Sequence, residues 1–322
     1  MDAVVMRRFG GPEVLRVEQV PEPVPGAGQS LVDVALAGVN FDDLERRAGD
    51  TLPQPLPAVL GVDVVGRRRR DGRRVAALLR RGGGYAQVAA ADDAHTIELP
   101  EHIDDAQAVG LLEQGATAYG ALVLAGRLRA GETVVVSAAA GGVGHLAVQL
   151  AVALGAGRVI GMASTPDKRA LVTSLGAGIA LDPADGDIGA RLRESTGGAG
   201  ADLVVDSVGG ALARSALGGL APFGRLVTIG WRGGAEHGPI RVSTEELTDR
   251  SIGCAGFWMR HVVDDRPLLC GIADELFTLA AEGKLAAHID RVVGLAGTGD
   301  AHAAMTARAT AGKVLIDVNR EL

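Results

Sequence analysis

Between residues 133 and 230, five short runs rich in Val, Ile and Leu alternate with segments of helical character. The runs are TVVVSA (133–138), RVIGMA (158–163), GIALD (178–182), ADLVVDSV (201–208) and RLVTIG (225–230). VGHLAVQLAVALG, PDKRALVTSLG, DIGARLRESTG and ALARSALGGLA fall between them as helices. A strand apolar at every position, not every second one, must be covered on both faces, and parallel strands need a crossover long enough to hold a helix. The pattern predicts an α/β fold: a Rossmann doubly wound parallel sheet.

The flanks read differently. In residues 1–100, Val14 to Val20 and Leu31 to Ala37 alternate, PEPVPGAGQS (21–30) is a turn region, and LPQPLPAVLG (52–61) is a proline-dense loop. These features predict an irregular β-rich domain. Residues 104–126 read as helical segments interrupted by glycine. PLLCGIADELFTLAAEGKL (267–285) reads as an amphipathic helix, and IDRVVGL (289–295) and GKVLIDV (312–318) as strands placed back on the first domain. The expected boundaries are 1–118, 119–257 and 258–322.

A net charge of −7 speaks against a nucleic-acid partner. Arg67 to Arg70 with Arg73 and Arg74 form a basic patch without interleaved aromatics, which reads as a solvated face. Cys254 and Cys270 are too few for a disulfide framework or a four-thiolate zinc site. The first residues carry no sustained apolar run, and longer apolar stretches are broken by Gly or charge before 18 residues. No signal peptide and no membrane partner are expected, and the expected location is cytoplasmic.

The segment with chemical content is SAAAGGVGHLAVQLAVALGA (137–156), which follows a strand and opens a helix. Ala140, Gly141, Gly142, Val143 and Gly144 would form the turn, with glycines letting the backbone approach a pyrophosphate at the helix N-terminus. Ala139 stands where such turns usually begin with glycine. The alternative is a glycine-rich helix start that holds no ligand. An acid at the end of the second strand would hold the ribose 2′-hydroxyl of NAD, but Ala163 stands there. Ser164 and Thr165 offer hydroxyls, and Lys168 and Arg169 offer positive charge. That set predicts the 2′-phosphate of NADPH, against a merely solvated helix N-terminus.

Several segments together resemble the medium-chain dehydrogenase/reductase superfamily in its zinc-free quinone oxidoreductase branch, which includes the zeta-crystallins. They are FGGPEVLRVEQVPEPVPG (9–26), GVNFDDLERRAG (38–49), LPAVLGVDVVG (56–66), AAAGGVG (138–144), DSVGG (206–210), GRLVTIG (224–230), GKLAAHIDRV (283–292) and ATAGKVLIDV (309–318). The resemblance implies a GroES-like substrate domain, a Rossmann domain and a cleft between them. It implies that Asn40 lines the nicotinamide pocket and touches the substrate carbonyl, where a turn-stabilising amide is the alternative role. It places Ser207, Val208 and Gly230 beside the nicotinamide and Lys313 near the cofactor, and it implies a homodimer. At the catalytic-zinc positions of the wider superfamily stand Asn40 and Val62-Asp63, and the four-cysteine structural loop is missing. Asp50 and Thr51 replace a tyrosine often found there, Pro183 replaces another, and the hairpin 66–78 is short.

Without a Lewis acid, a reducible substrate must spread its own negative charge. A quinone or an α,β-unsaturated carbonyl does so. The expectation is therefore a zinc-independent, NADPH-dependent reductase of a small quinone or enone. The alternatives are an enoyl-thioester reductase of a biosynthetic pathway and, in another class, a non-catalytic NADPH- or RNA-binding protein supported by the arginine patch. Cys254, His261 and Cys270 have a spacing that fits no common metal site.

Overall fold

The computed structural model describes residues 1–50, 55–230 and 238–320. The chain divides into two units, one of 1–113 with 260–322 and one of 114–259. Unit 1 begins with β1 (Asp2–Met6), β2 (Leu15–Gln19), β3 (Gln29–Val39), α1 (Phe41–Ala48), β4 (Ala58–Val59), β5 (Asp63–Arg68), β6 (Arg74–Leu78), β7 (Val88–Asp92) and β8 (Thr96–Glu98). Then α2 (Asp105–Tyr119) contains the boundary. Unit 2 holds β9 (Thr133–Val136), α3 (Gly144–Ala153), β10 (Arg158–Met162), α4 (Pro166–Ser174), β11 (Ile179–Leu181) and α5 (Ile188–Ser195). It continues with β12 (Ala201–Asp206), α6 (Gly210–Gly218), β13 (Leu220–Thr228), α7 (Thr244–Arg250) and β14 (Gly253–Gly256). The chain ends in unit 1 with α8 (Arg260–Val263), α9 (Arg266–Ala281), β15 (Ile289–Gly294), α10 (Thr298–Thr306) and β16 (Lys313–Asp317).

Unit 2 is built on one parallel sheet in the order β11-β10-β9-β12-β13-β14. The order reverses between β9 and β12, so loops leaving these two strands diverge and open a crevice at their carboxyl ends. Val134, Val135 and Val136 are each at most 1% exposed, which means that both faces of β9 are covered. That is why the unbroken apolar runs were readable as parallel strands. The boundary of one helix differs from the pattern: Leu220 and Ala221, expected to close the fourth helix, begin β13, because Gly218 and Gly219 end α6 first.

Unit 1 carries a three-stranded sheet, β2-β1-β4, and a seven-stranded sheet in the order β15-β16-β3-β5-β6-β8 with β7 also on β3. The C-terminal strand β16 pairs antiparallel with β3, so Lys313 is brought across from the far end of the chain to the end of β3. Five of the six arginines of the 66–78 hairpin are matched by acids, while Arg67 donates to the Gly72 carbonyl. Arg68 pairs with Asp71 and Glu98, Arg69 with Glu22 and Asp33, Arg70 with Asp93, Arg73 with Glu98, and Arg74 with Asp105. A patch so neutralised attracts a phosphate backbone far less than its sequence suggests.

The glycines of 104–126 do not interrupt the helix; α2 runs unbroken to Tyr119 and continues as a π-helical turn over Gly120–Ala125. They serve close packing instead. A Cβ at Gly110 would lie 2.5 Å from the Ala287 methyl, and one at Gly120 would lie 2.1 Å from the Phe257 ring. By length and composition, Asp105–Ala125 would suffice to cross a membrane, contrary to the expectation that no stretch is long enough. With 72% of its most apolar window buried, it is a core helix.

Candidate active site

In unit 2 the loop between β9 and α3 lies at the switch point of the sheet. Ala138 takes a positive φ of 44°, which turns the chain sharply after the strand. A Cβ at Gly144 would lie 2.2 Å from the Ala138 oxygen and 2.8 Å from the Ala139 Cα, so only glycine lets the helix start so close to the strand. Ala139 is accommodated where glycine was expected. Its amide donates to the Met162 carbonyl at 2.8 Å, and its methyl lies 3.0 Å from where a Cβ at Gly161 would stand. Glycine at 161 thus makes the room that alanine at 139 takes. A Cβ at Gly142 would lie 2.4 Å from the Gln114 amide, so Gln114 packs directly on the loop. His145, fully buried, holds the Gly141 carbonyl through Nδ1 at 2.9 Å. Gln114 and His145 were missed in the sequence, because nothing in their spacing announces a loop support.

The first turn of α3 leaves backbone N–H groups without intrahelical acceptors and carries the positive end of the helix dipole. The backbone of Ala140 to Gly144 therefore fits a pyrophosphate. Across the crevice, the loop after β12 is tied to the loop after β9. The Ser207 amide donates to Ser137 Oγ at 2.9 Å, while the buried Asp206 carboxylate accepts from the amides of Val208 and Gly209. Burial raises the Asp206 pKa, and the bonds from Ser137, Val208 and Gly209 oppose that rise. This fixes Ser207 and Val208 at the carboxyl edge of the sheet. Gly230 follows β13 at the same edge, its carbonyl accepting from Thr228.

The residues after β10 fall into two kinds. Thr165 is the N-cap of α4, accepting from the Lys168 amide at 3.3 Å, with Ser164 exposed beside it. Arg169, expected to supply charge to a 2′-phosphate, gives Nη1 to the Asp182 carboxylate at 2.7 Å and to the Ala163 carbonyl at 3.0 Å. Its charge is already matched within the protein.

Asn40 and Lys313 meet in unit 1. Lys313 is fully buried, and its ammonium donates to Asn40 Oδ1 at 2.7 Å and to Asp63 Oδ2 at 2.9 Å. Asn40 Nδ2 closes the triangle onto Asp63 Oδ1 at 2.6 Å. A Cβ at Gly38 would lie within 2.5 Å of both partners, so β3 needs glycine where the ion pair crosses it. Thus Lys313 holds Asn40 and Asp63, and Asn40 is locked in orientation.

Asp43 extends the cluster. Its carboxylate accepts from the amides of Asn40 and Gly61, at 3.0 and 2.9 Å. Burial first, then the charges of Asp42 and Asp63, push its pKa up to about 7 against those two bonds. Tyr85 is fully buried, raised well above the usual phenol range by burial and by Asp43, and its hydroxyl meets His302 Nε2 at 3.2 Å. Burial pulls His302 down to about 3, so it is neutral. Among the described residues, no group of three or more His, Cys, Asp or Glu is arranged to hold a metal. Cys254 lies on β14 and Cys270 on α9, in different units. Phe257 packs over Gly120, Trp258 is 53% exposed, and Thr51 and Trp231 lie outside the described residues.

Residues 142–270 match the family of zinc-binding dehydrogenases. A quinone oxidoreductase of Pseudomonas aeruginosa is 33% identical over 319 residues, covering 96% of this chain and 97% of that protein. A 2-haloacrylate reductase of a Burkholderia species is 32% identical over 333 residues, covering 98% of each. Among solved structures, Escherichia coli quinone oxidoreductase complexed with NADPH aligns with a TM-score of 0.91 at 28% identity, over 98% of this chain and 100% of that one.

Proposed function

The chain belongs to the quinone oxidoreductase branch of the medium-chain dehydrogenase/reductase superfamily, and from that premise we propose that it is an NADPH-dependent reductase passing hydride, without zinc, to a quinone or an α,β-unsaturated carbonyl. Bound NADPH supplies two electrons and a hydrogen from nicotinamide C4. The backbone of Ala140–Gly144 would hold its pyrophosphate, Ser164, Thr165 and Lys168 its 2′-phosphate, and Ser207, Val208 and Gly230 the nicotinamide side. The NADPH complex of the Escherichia coli relative supports the choice of cofactor.

The observation that carries the zinc-free reading is the Lys313 ammonium bonded at once to Asn40 and Asp63. Two of the three residues at the superfamily's zinc positions are thereby committed to a buried cation. A second cation beside it would face like-charge repulsion in a medium where charges interact strongly. The cation supplied by this chain is an ammonium, which donates hydrogen bonds but cannot coordinate and polarise a carbonyl as zinc does. The acceptor must then delocalise the incoming charge, as an enolate or a hydroquinone anion. Asn40, fixed by Lys313 and Asp63, is assigned to the acceptor's oxygen, where a dipole oriented in advance stabilises charge without reorganising. The 2-haloacrylate reductase relative supports an activated alkene among the acceptors.

The test is NADPH oxidation against a panel of 1,4-quinones, enones, 2-haloacrylates and crotonyl-type thioesters. Turnover with quinones or enones above thioesters is expected. No oxidation across the panel would refute the reading, and preference for thioesters would move it to an enoyl-thioester reductase.

A further inference from the structure

Hydride arrival leaves an anion that needs a proton, and no role assigned so far supplies one. Tyr85 is fully buried and bonded to His302, which closes it to exchange with solvent. Asp43 is fully buried and engaged by two backbone amides. Glu113 differs from both in its exposure. It sits on α2, one helical turn after Gly110, whose Cα face lies against Ala287 and Ile289. Ile289 is the register partner of Lys313 across β15 and β16. Residues three apart share a helix face, so Glu113 is carried to the Lys313 end of the cluster. It keeps part of its surface open to solvent.

We propose that Glu113 is the general acid of the reaction, giving its carboxyl proton to the acceptor anion formed by hydride transfer; this rests on the reductase reading above. The charges that act on Glu113 are those of Lys313 of β16, Asp63 of β5, and Asp42 and Asp43 of α1. Protein packed around the carboxyl is the first cause that pushes its pKa up to about 8; Lys313 opposes, and Asp63, Asp42 and Asp43 add to the rise. A carboxyl so placed is protonated at neutral pH and still acidic enough to donate, the condition for general acid catalysis. In the step, the carboxyl O–H bond breaks, and the proton goes to the enolate carbon or the hydroquinone oxygen. The carboxylate left behind takes a proton from solvent. Hydride, proton and acceptor then sum to a two-electron, two-proton reduction.

The experiment compares the wild type with Glu113→Gln and Glu113→Asp on whichever quinone or enone the wild type reduces best, reading kcat against pH, NADPH affinity and thermal melting. The wild type should lose kcat as pH rises through about 8, and Glu113→Gln should cut kcat by ~10²–10⁴ and abolish that alkaline limb. Glu113→Asp, which keeps a carboxyl, should retain part of kcat and a displaced limb. NADPH affinity and melting should stay near wild type in both. A Glu113→Gln enzyme that keeps the wild-type kcat and limb would overturn the assignment while leaving the reductase standing. A loss of kcat accompanied by equal losses in NADPH affinity or melting would overturn it in favour of a structural role. A wild type inactive on the whole panel would defeat the reductase reading and this inference with it.

Discussion

Replacing Lys313 by Met should destabilise unit 1 and leave unit 2 nearly untouched. Lys313 and Asp63 are 0% and 1% exposed, with Nζ and Oδ2 2.9 Å apart. Removing one partner leaves the other charge buried without compensation, which costs about 3–5 kcal/mol. The loss of the bond to Asn40 Oδ1, a charge-assisted one, adds to that cost. At 1.4 kcal/mol per factor of ten, openings of the sheet at β3, β5 and β16 should become ~10²–10⁴ times more frequent. Hydrogen-exchange mass spectrometry reads this peptide by peptide, with β9 and β10 as the internal reference. A double variant, Lys313→Met with Asp63→Leu, should recover most of the loss, since replacing both ions by apolar groups is often neutral. A change below about 1 kcal/mol in the single variant would refute the reasoning, because the ammonium would then not be what satisfies Asp63.

Two further predictions follow from the same geometry. Lys168→Ala should weaken NADPH binding by ~10–100-fold, the value of a hydrogen bond to a charged group, and leave NADH within about twofold; Arg169→Ala should cost NADPH less, its charge being matched by Asp182. Equal losses for both cofactors in titration calorimetry would refute the 2′-phosphate set. The buried titratable groups also set opposing pH slopes. Asp43, raised to about 7, contributes stability that is present below the ordinary carboxylate range and lost as pH rises through about 7. His302, lowered to about 3, contributes stability that is present above the ordinary imidazole range and lost as pH falls toward 3. Glu113, raised to about 8, adds a second fall with rising pH, so between about pH 4.5 and 6.5 His302 offsets only one of the two, and His302→Gln should steepen the fall by ~2–3 kcal/mol across that window in denaturant titrations. Parallel curves for the two proteins would show that His302 does not bear that charge cost.

The parallel sheet was legible because burial on both faces forces unbroken apolar strands, as in Val134–Val136, and burial leaves a direct mark on residue choice. The glycines of the nucleotide loop were legible for a similar reason: Gly144 stands where any side chain would strike Ala138. Other features depend on pairings distant in sequence. Gly110 and Gly120 read as helix breaks until Ala287 and Phe257 are seen filling the space against them. Arg169 stood out as a charge near the second strand, but its pair with Asp182, from the next strand's end, had no local sign. Lys313 was singled out by resemblance, yet its partners Asn40 and Asp63 lie 273 and 250 residues away, and no local pattern encodes that triangle. The arginine run was the most misleading feature, since apart from Asp71 its acids come from distant segments: Glu22, Asp33, Asp93, Glu98 and Asp105.

The most direct test of the whole account is turnover after metal removal. The enzyme is dialysed against a strong chelator, its zinc content is measured by mass spectrometry, and NADPH oxidation with its best quinone or enone is compared before and after. Undiminished turnover at substoichiometric zinc is predicted, because the buried Lys313 ammonium already engages Asn40 and Asp63 and the acceptor's own delocalisation makes a Lewis acid unnecessary. Turnover lost on chelation and restored by added zinc would contradict it.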